Sequence, residues 1–589
     1  MHEYKYLRLG YYYSSTIYIH VELTFSVQNE LMRFLQFFIG LLLVLKNING
    51  IEVFDTQAYA SAHPCVWSAC EGLPTEQENY AITCCILQVP LNYAKPNQSS
   101  ISVSMIRLSP SNTSTNFLFT LSGGPGESVL GLLQIVVRLV PAKYGITIIA
   151  PDHRGTGYST PLGCDDNLSQ NVTKDCLTYL RERWTIEGLN QFTTTAASHD
   201  LAIQIQAAQL NGRISIYGVS YGTYWLNRFL TIYPNLAQSA IMDSPVNPFL
   251  HTFTMYNIRA STVGIQYLTH CHYQIECIKH FPNSSPIIML HKILQEIDEN
   301  KQKCVNKYLA KYRLTSNSIR QIFFILIHRT TTDATIIPAV IFRLNRCNEQ
   351  DAIALDFFFK SQTSSSISSR QILSQGTTNI LSYVSAVLYY NIAFSELWLS
   401  LNQSDVNEQT FSIWQNSTLI CPDLTADFIR SRANWPKYPQ DQYRYRLANS
   451  RILMINGQLD AATPFDLATH LSSIKNTNQT LFYSIPLSGH AVFAYAFISG
   501  YTCPVQLSLS WAFPDLFPSN WSDSSCLQDL PTTIDFAGET NLTQTYSLQH
   551  LNTSLPFGQT KTSNANNLAN SHFILISILI SEFLLAYFK

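Results

Sequence analysis

The turn Gly218-Val219-Ser220-Tyr221-Gly222 constrains this chain more than any other feature. A β-rich run at residues 213–217 leads into it, and a helical run at residues 224–232 leads out. A serine between two glycines at a strand-to-helix turn takes a strained backbone conformation, and the missing side chains let neighbouring backbone come close. Chance also produces such patterns, so the strand before and the helix after are what give this one weight.

The surrounding sequence alternates strands with helices, which predicts an α/β class with a mostly parallel sheet. Residues 101–108 read as an early strand, and residues 116–121 as a buried one that opens into Ser122-Gly123-Gly124-Pro125-Gly126. Residues 145–150 read as a strand before Asp152-His153-Arg154-Gly155, residues 196–210 as a helix, and residues 239–243 as the next strand. From about 245 to 436 the rhythm changes, and long helical stretches such as 287–309 and 380–401 predict a mainly helical cap inserted into the sheet domain. Strand rhythm returns at 451–455 and 481–485. The sheet domain is therefore expected at 51–244 and 437–536, with a Thr/Asn/Ser-rich stalk at 537–572.

A serine nucleophile in such a turn needs an acid and a base later in the chain, in the order Ser, Asp, His. Asp460 follows the strand at 451–455, and His490 follows the strand at 481–485, so both fall in strand-end loops where parallel sheets gather reactive groups. Ser220, Asp460 and His490 are the expected catalytic set. Backbone N–H groups of Gly124 and Tyr221 are the expected oxyanion donors. Asp466, His470 and His199 fall in helical contexts and are weaker candidates, while Asp243, at a strand end, suits a structural or auxiliary role. His153 and Arg154 read as parts of a loop-fixing network, with Asp152 capping the turn.

The ordered segments SGGPGES, PDHRGTGYS, GVSYGTY, NGQLDAATP and SGH resemble the prolyl aminopeptidase and tripeptidyl aminopeptidase group of α/β-hydrolases. The resemblance spans about Cys65 to Cys526. It implies an α/β-hydrolase fold with a helical cap and a serine exopeptidase that takes peptide substrates with free N-termini, without cofactor or metal. Two positions depart from the pattern: Ser122 stands where many relatives have His, and Glu127 where Gly is common. Neither removes a catalytic atom, but Glu127 puts an acidic group near the substrate entrance. An esterase or lipase of the same fold, and a catalytically silent binding module, are the competing readings.

With 46% hydrophobic and 13% charged residues and a net charge of -2, the 589-residue chain has material for a large core and gives no sign of a nucleic-acid partner. Eleven Asn-X-Ser/Thr sites, from Asn97 to Asn552, would solvate that low-charge surface if glycosylated. The apolar run at 34–45 has the length of a signal h-region, with Met32 as a natural start and cleavage near Gly50; an N-terminal anchor helix is the alternative. The apolar tail at 573–589, after small residues around Ser563, suits a GPI-attachment signal. A secreted or surface-anchored protein is expected, touching membrane only through that lipid. Thirteen cysteines fit an oxidising compartment, mostly paired with at least one left over. The cluster Cys271, His272, Cys277, His280 matches no zinc spacing and reads as a disulfide site.

Overall fold

Strands such as Ile146–Pro151, Ser239–Asp243 and Ile452–Gly457 are buried at every position. Near-continuous apolar runs of this kind need cover on both faces, which parallel strands receive from crossover helices. The computed structural model describes residues 54–558, apart from 112–113, 171, 330–332, 373–383, 399–405, 423, 425, 476–477 and 518–522. The expected signal segment and lipid-attachment tail lie outside the described residues.

Among the described residues nine strands form one sheet: β1 (Glu76–Gln77), β2 (Tyr80–Pro90), β3 (Ser100–Pro110), β4 (Asn116–Leu121), β5 (Ile146–Pro151), β6 (Arg213–Val219), β7 (Ser239–Asp243), β8 (Ile452–Gly457) and β9 (Thr480–Ile485). Their order is β1-β2-β3-β5-β4-β6-β7-β8-β9. From β5 to β9 every neighbouring pair is parallel, and the β1, β2 and β3 edge is antiparallel. The chain leaves β4 towards β5 on one side and returns to β6 on the other. That reversal opens a crevice beyond the strand ends, where such sheets hold their ligands.

Between β7 and β8 the described residues contain helices and no strand, as expected for a cap. Its helices, among them Tyr256–Tyr273, Pro286–Asp298, Ser316–Arg329 and Ile337–Arg346, bury an apolar core of their own around Leu290, Phe323 and Ile341. Leu459 and Leu487, from the loops after β8 and β9, belong to that core. The cap therefore rests on the loops that carry Asp460 and His490.

Two expectations change at residue level. The helix expected at 287–309 ends at Asp298 and resumes at Lys303–Tyr308, because the chain turns at Asn300 with φ 55°. The stretch beyond 536, expected to begin a stalk, is packed as far as it is described. Asn541–Leu551 is a helix, and Leu551 and Phe557 join the cap core. Arg343 fixes the segment by donating to the carbonyls of Leu555 and Pro556. Its polar composition hid a few well-spaced apolar anchors.

Among the described residues six disulfides join Cys65–Cys85, Cys70–Cys84, Cys164–Cys176, Cys271–Cys277, Cys304–Cys347 and Cys503–Cys526, and Cys421 is buried with its sulfur 3.0 Å from the Thr418 hydroxyl. His280 lies stacked on Phe557, with ring centroids 3.9 Å apart.

Candidate active site

Ser220 stands at the end of β6 with φ 55° and ψ -125°, and the helix Tyr221–Ile232 begins at the next residue. A non-glycine residue in this region is strained, and such strain persists only where the surroundings enforce it. The neighbours supply the enforcement. The Ser220 N–H donates to the Asp243 carbonyl at 3.0 Å, and its own carbonyl accepts from the Thr223 N–H at 2.9 Å.

The flanking glycines are required by backbone, not by side chains. A Cβ on Gly218 would sit 2.6 Å from the Gly222 carbonyl oxygen, and one on Gly222 would sit 2.4 Å from the Leu121 carbonyl oxygen. Removing both side chains lets the new helix start against the end of β4, where the loop Ser122–Gly126 begins. A Cβ on Gly123 of that loop would meet Ser220 Cβ at 3.1 Å. Gly124 follows with φ 99°, ahead of a cis bond to Pro125. Tyr221 is the first residue of its helix, so its N–H lies among those with no partner in the preceding turn.

Asp460 and His490 meet across neighbouring strand ends. His490 Nδ1 lies 3.0 Å and 2.9 Å from the two Asp460 carboxylate oxygens, and both side chains are buried. The carboxylate also accepts from the N–H groups of Ala462 and Thr463 and from the Thr463 hydroxyl. Burial works to raise the Asp460 carboxyl, but the His490 charge and these hydrogen bonds outweigh it and hold it below its ordinary value. Gly457 brings the two loops together, since a Cβ there would lie 2.2 Å from the Ser488 carbonyl oxygen and 2.3 Å from that of Gly489.

Asp243 takes the auxiliary part that its strand-end position suggested. Its carboxylate accepts from the N–H groups of Val492 and Phe493 at 2.7 and 2.9 Å, and from the Tyr217 hydroxyl at 2.7 Å. Ser244 Oγ accepts from Ala491 N–H at 2.9 Å. The end of β7 thus holds Ser220 through a carbonyl and the three residues after His490 through side chains.

Asp152 spans two loops, accepting from Tyr158 N–H at 3.0 Å and from Val129 N–H at 2.9 Å. Burial pushes its carboxyl up to about 6, against the pull of those bonds. Arg154 makes a two-pronged, fully buried pair with Asp200 and donates to the carbonyls of Leu91 and Gln191, so it fixes loops as the sequence suggested. His153 binds the Arg154 carbonyl through Nδ1 and faces the Tyr221 hydroxyl through Nε2, and burial pushes its imidazole down to about 4. Asp466 and His470 lie in the helix Phe465–Ile474, where Asp466 pairs with Arg259 at the surface. His199 meets the Tyr233 hydroxyl at 2.6 Å.

His328 was not foreseen from the sequence. It comes from the cap helix Ser316–Arg329 and stacks on His490, with ring centroids 4.8 Å apart and planes 18° apart. Phe324 stacks on it in turn, and Tyr256, Phe253 and Tyr389 continue an aromatic wall away from the base. Nothing in the local sequence of a helical insertion marks which of its histidines will reach the sheet. Among the described residues no three His, Cys, Asp or Glu side chains are grouped so as to hold a metal ion.

Residues 118–266 match the model of the α/β hydrolase fold family. Together with the sheet order and the serine turn, that match decides the architecture. The chain has the α/β-hydrolase fold.

Among curated proteins, tripeptidyl aminopeptidase of Streptomyces lividans is 27% identical over 198 residues, covering 28% of this chain and 36% of that protein. The serine protease Hip1 of Mycobacterium tuberculosis is 23% identical over 211 residues, covering 31% of this chain and 40% of Hip1. The chain thus matches well under half the length of these relatives. The solved proline iminopeptidase of Mycobacterium smegmatis aligns with a TM-score of 0.34 at 12% identity, covering 72% of this chain and 98% of that one.

Proposed function

We propose that the chain is a serine hydrolase, and specifically an aminopeptidase that removes residues from free N-termini of peptides. The observation that carries the hydrolase reading is the buried Asp460–His490 pair in the loops after β8 and β9, together with a serine held at φ 55° at the end of the parallel strand β6 of the same sheet. In this reading Asp460 holds Nδ1 protonated, leaving His490 Nε2 to take the proton from Ser220 as its oxygen attacks the scissile carbonyl. His490 then returns the proton to the leaving amine, and water releases the acyl group by the same steps. The N–H groups of Gly124 and Tyr221 receive the developing oxyanion, each contributing roughly 3–4 kcal/mol to lowering the barrier. Neither cofactor nor metal enters this chemistry.

The peptidase part is supported by the names of the matched relatives and by the resemblance of this chain's ordered motifs to the aminopeptidase group. The six disulfides accord with an oxidising compartment, and we propose secretion with surface attachment through a C-terminal lipid. Para-nitroanilides of amino acids and short peptides, with free or acetylated N-termini, together with simple esters, test the reading. Faster hydrolysis of the free-amine substrates is expected; preference for acetylated peptides and simple esters would refute the aminopeptidase and favour an esterase.

A further inference from the structure

The carboxylates around the strand ends differ in one respect. Asp460 is held by His490 and Thr463, Asp243 by Tyr217, Val492 and Phe493, and Asp152 by Val129 and Tyr158. Glu396 accepts from Thr194 N–H and from the hydroxyls of Tyr224 and Tyr438, and pairs with Arg228. Glu127 has no hydrogen bond or ion pair among the described residues, and it is half-buried.

Its position is specific. A carbon placed on Gly123 would meet Ser220 Cβ at 3.1 Å and Glu127 Oε2 at 3.5 Å, so serine and carboxylate flank the same glycine. The cap closes over this loop, with Ser385 N–H donating to the Gly126 carbonyl at 2.8 Å where the helix Ala386–Ser395 begins. Burial pushes the Glu127 carboxyl up to about 8. A carboxyl so placed, with no protein donor, is relieved by a cation brought in from outside.

We propose that Glu127 receives the α-ammonium of the substrate residue whose carbonyl Ser220 attacks, so that residues are released singly. This rests on the aminopeptidase reading and adds the bond position to it. The amine nitrogen of that residue lies about 2.5 Å from its own carbonyl carbon by standard backbone geometry. The ammonium of a tripeptide would lie two residues further out, about 7 Å beyond, and past a carboxylate that shares a glycine with the serine. The departure from the family pattern at Glu127 thereby acquires a role.

The test compares wild type with Glu127→Gln on alanine para-nitroanilide, acetyl-alanine para-nitroanilide and trialanine para-nitroanilide, with both proteins checked for equal thermal unfolding. Wild type is expected to cleave the free single-residue amide, and Glu127→Gln to lower its free-to-acetylated ratio of kcat/KM by about a hundredfold, the scale for losing one partner of a desolvated charge pair. If Glu127→Gln keeps the wild-type ratio, or if wild type cleaves only the tripeptidyl amide, Glu127 is not the ammonium site while the aminopeptidase reading stands. If wild type itself does not favour the free amines, that reading fails and the proposal with it. Should Glu127→Gln unfold, Glu127→Ala provides the same ratio in a folded protein, and an unchanged ratio there would equally overturn the assignment.

Discussion

The sheet-end loops and the helical cap are built on opposite terms. The loops are fixed by backbone meeting backbone, where Gly218, Gly222 and Gly457 each leave no space for a single carbon. The cap is fixed by side chains, a broad apolar core in which no one contact dictates the path of the chain. The comparison teaches that reactive geometry here is set by where the main chain can approach itself, while the cap supplies cover over the strand-end loops.

Substitutions at the two regions should separate these roles. Ser220→Ala should lower kcat by at least about a thousandfold and leave the urea midpoint nearly unchanged, because it deletes the nucleophile without touching the glycine contacts. Residual turnover near the wild-type rate would break the assignment. Next in size, Gly457→Ala should destabilise by about 3–5 kcal/mol, since the added carbon meets two carbonyl oxygens that no rotamer change can move. A shift within experimental error in urea unfolding would show that the loops tolerate separation.

In the cap, Leu290→Ala empties space in a core where Leu290 is fully buried and should cost about 2–5 kcal/mol. The protein that remains folded should keep its kcat on a small ester, because Leu290 belongs to the cap helix Pro286–Asp298 and is not among the residues that hold Ser220, Asp460 and His490 in place. An equal fall in kcat and stability would mean that cap and loops form one rigid unit.

The smallest expected effect tests the loop network. His153 is buried with its imidazole pushed down to about 4, so between that value and its ordinary 6.5 the unfolded chain binds a proton that the folded protein does not. Its contribution is thus present at neutral pH and is lost as pH falls through that window. Going from pH 7 to 5, wild type should lose about 2 kcal/mol more stability than His153→Gln, read from paired urea curves. Parallel losses would show that the imidazole titrates freely.

The sequence revealed the first region far better than the second, for the same reason. Strands β4 and β7 fall where the apolar runs put them, and the motifs around Ser220, Asp460 and His490 mark loops whose short-range geometry demands particular residues. The antiparallel edge formed by β2 was not foreseen, because its Cys-containing pattern is only partly alternating. In the cap, His328 reaches His490 through packing between segments far apart in the chain, and helix periodicity alone does not encode that meeting. The packed segment after 536 escaped notice because Leu551 and Phe557 are isolated among polar residues.

The central claim is that Ser220 is a nucleophile activated by the Asp460–His490 pair. Labelling with a fluorophosphonate probe, with the modified peptide located by mass spectrometry, tests it most directly. The account predicts a single adduct on Ser220, with labelling slowed by orders of magnitude in His490→Ala. No adduct in a folded protein, or an adduct on another residue that His490→Ala leaves unaffected, would contradict it.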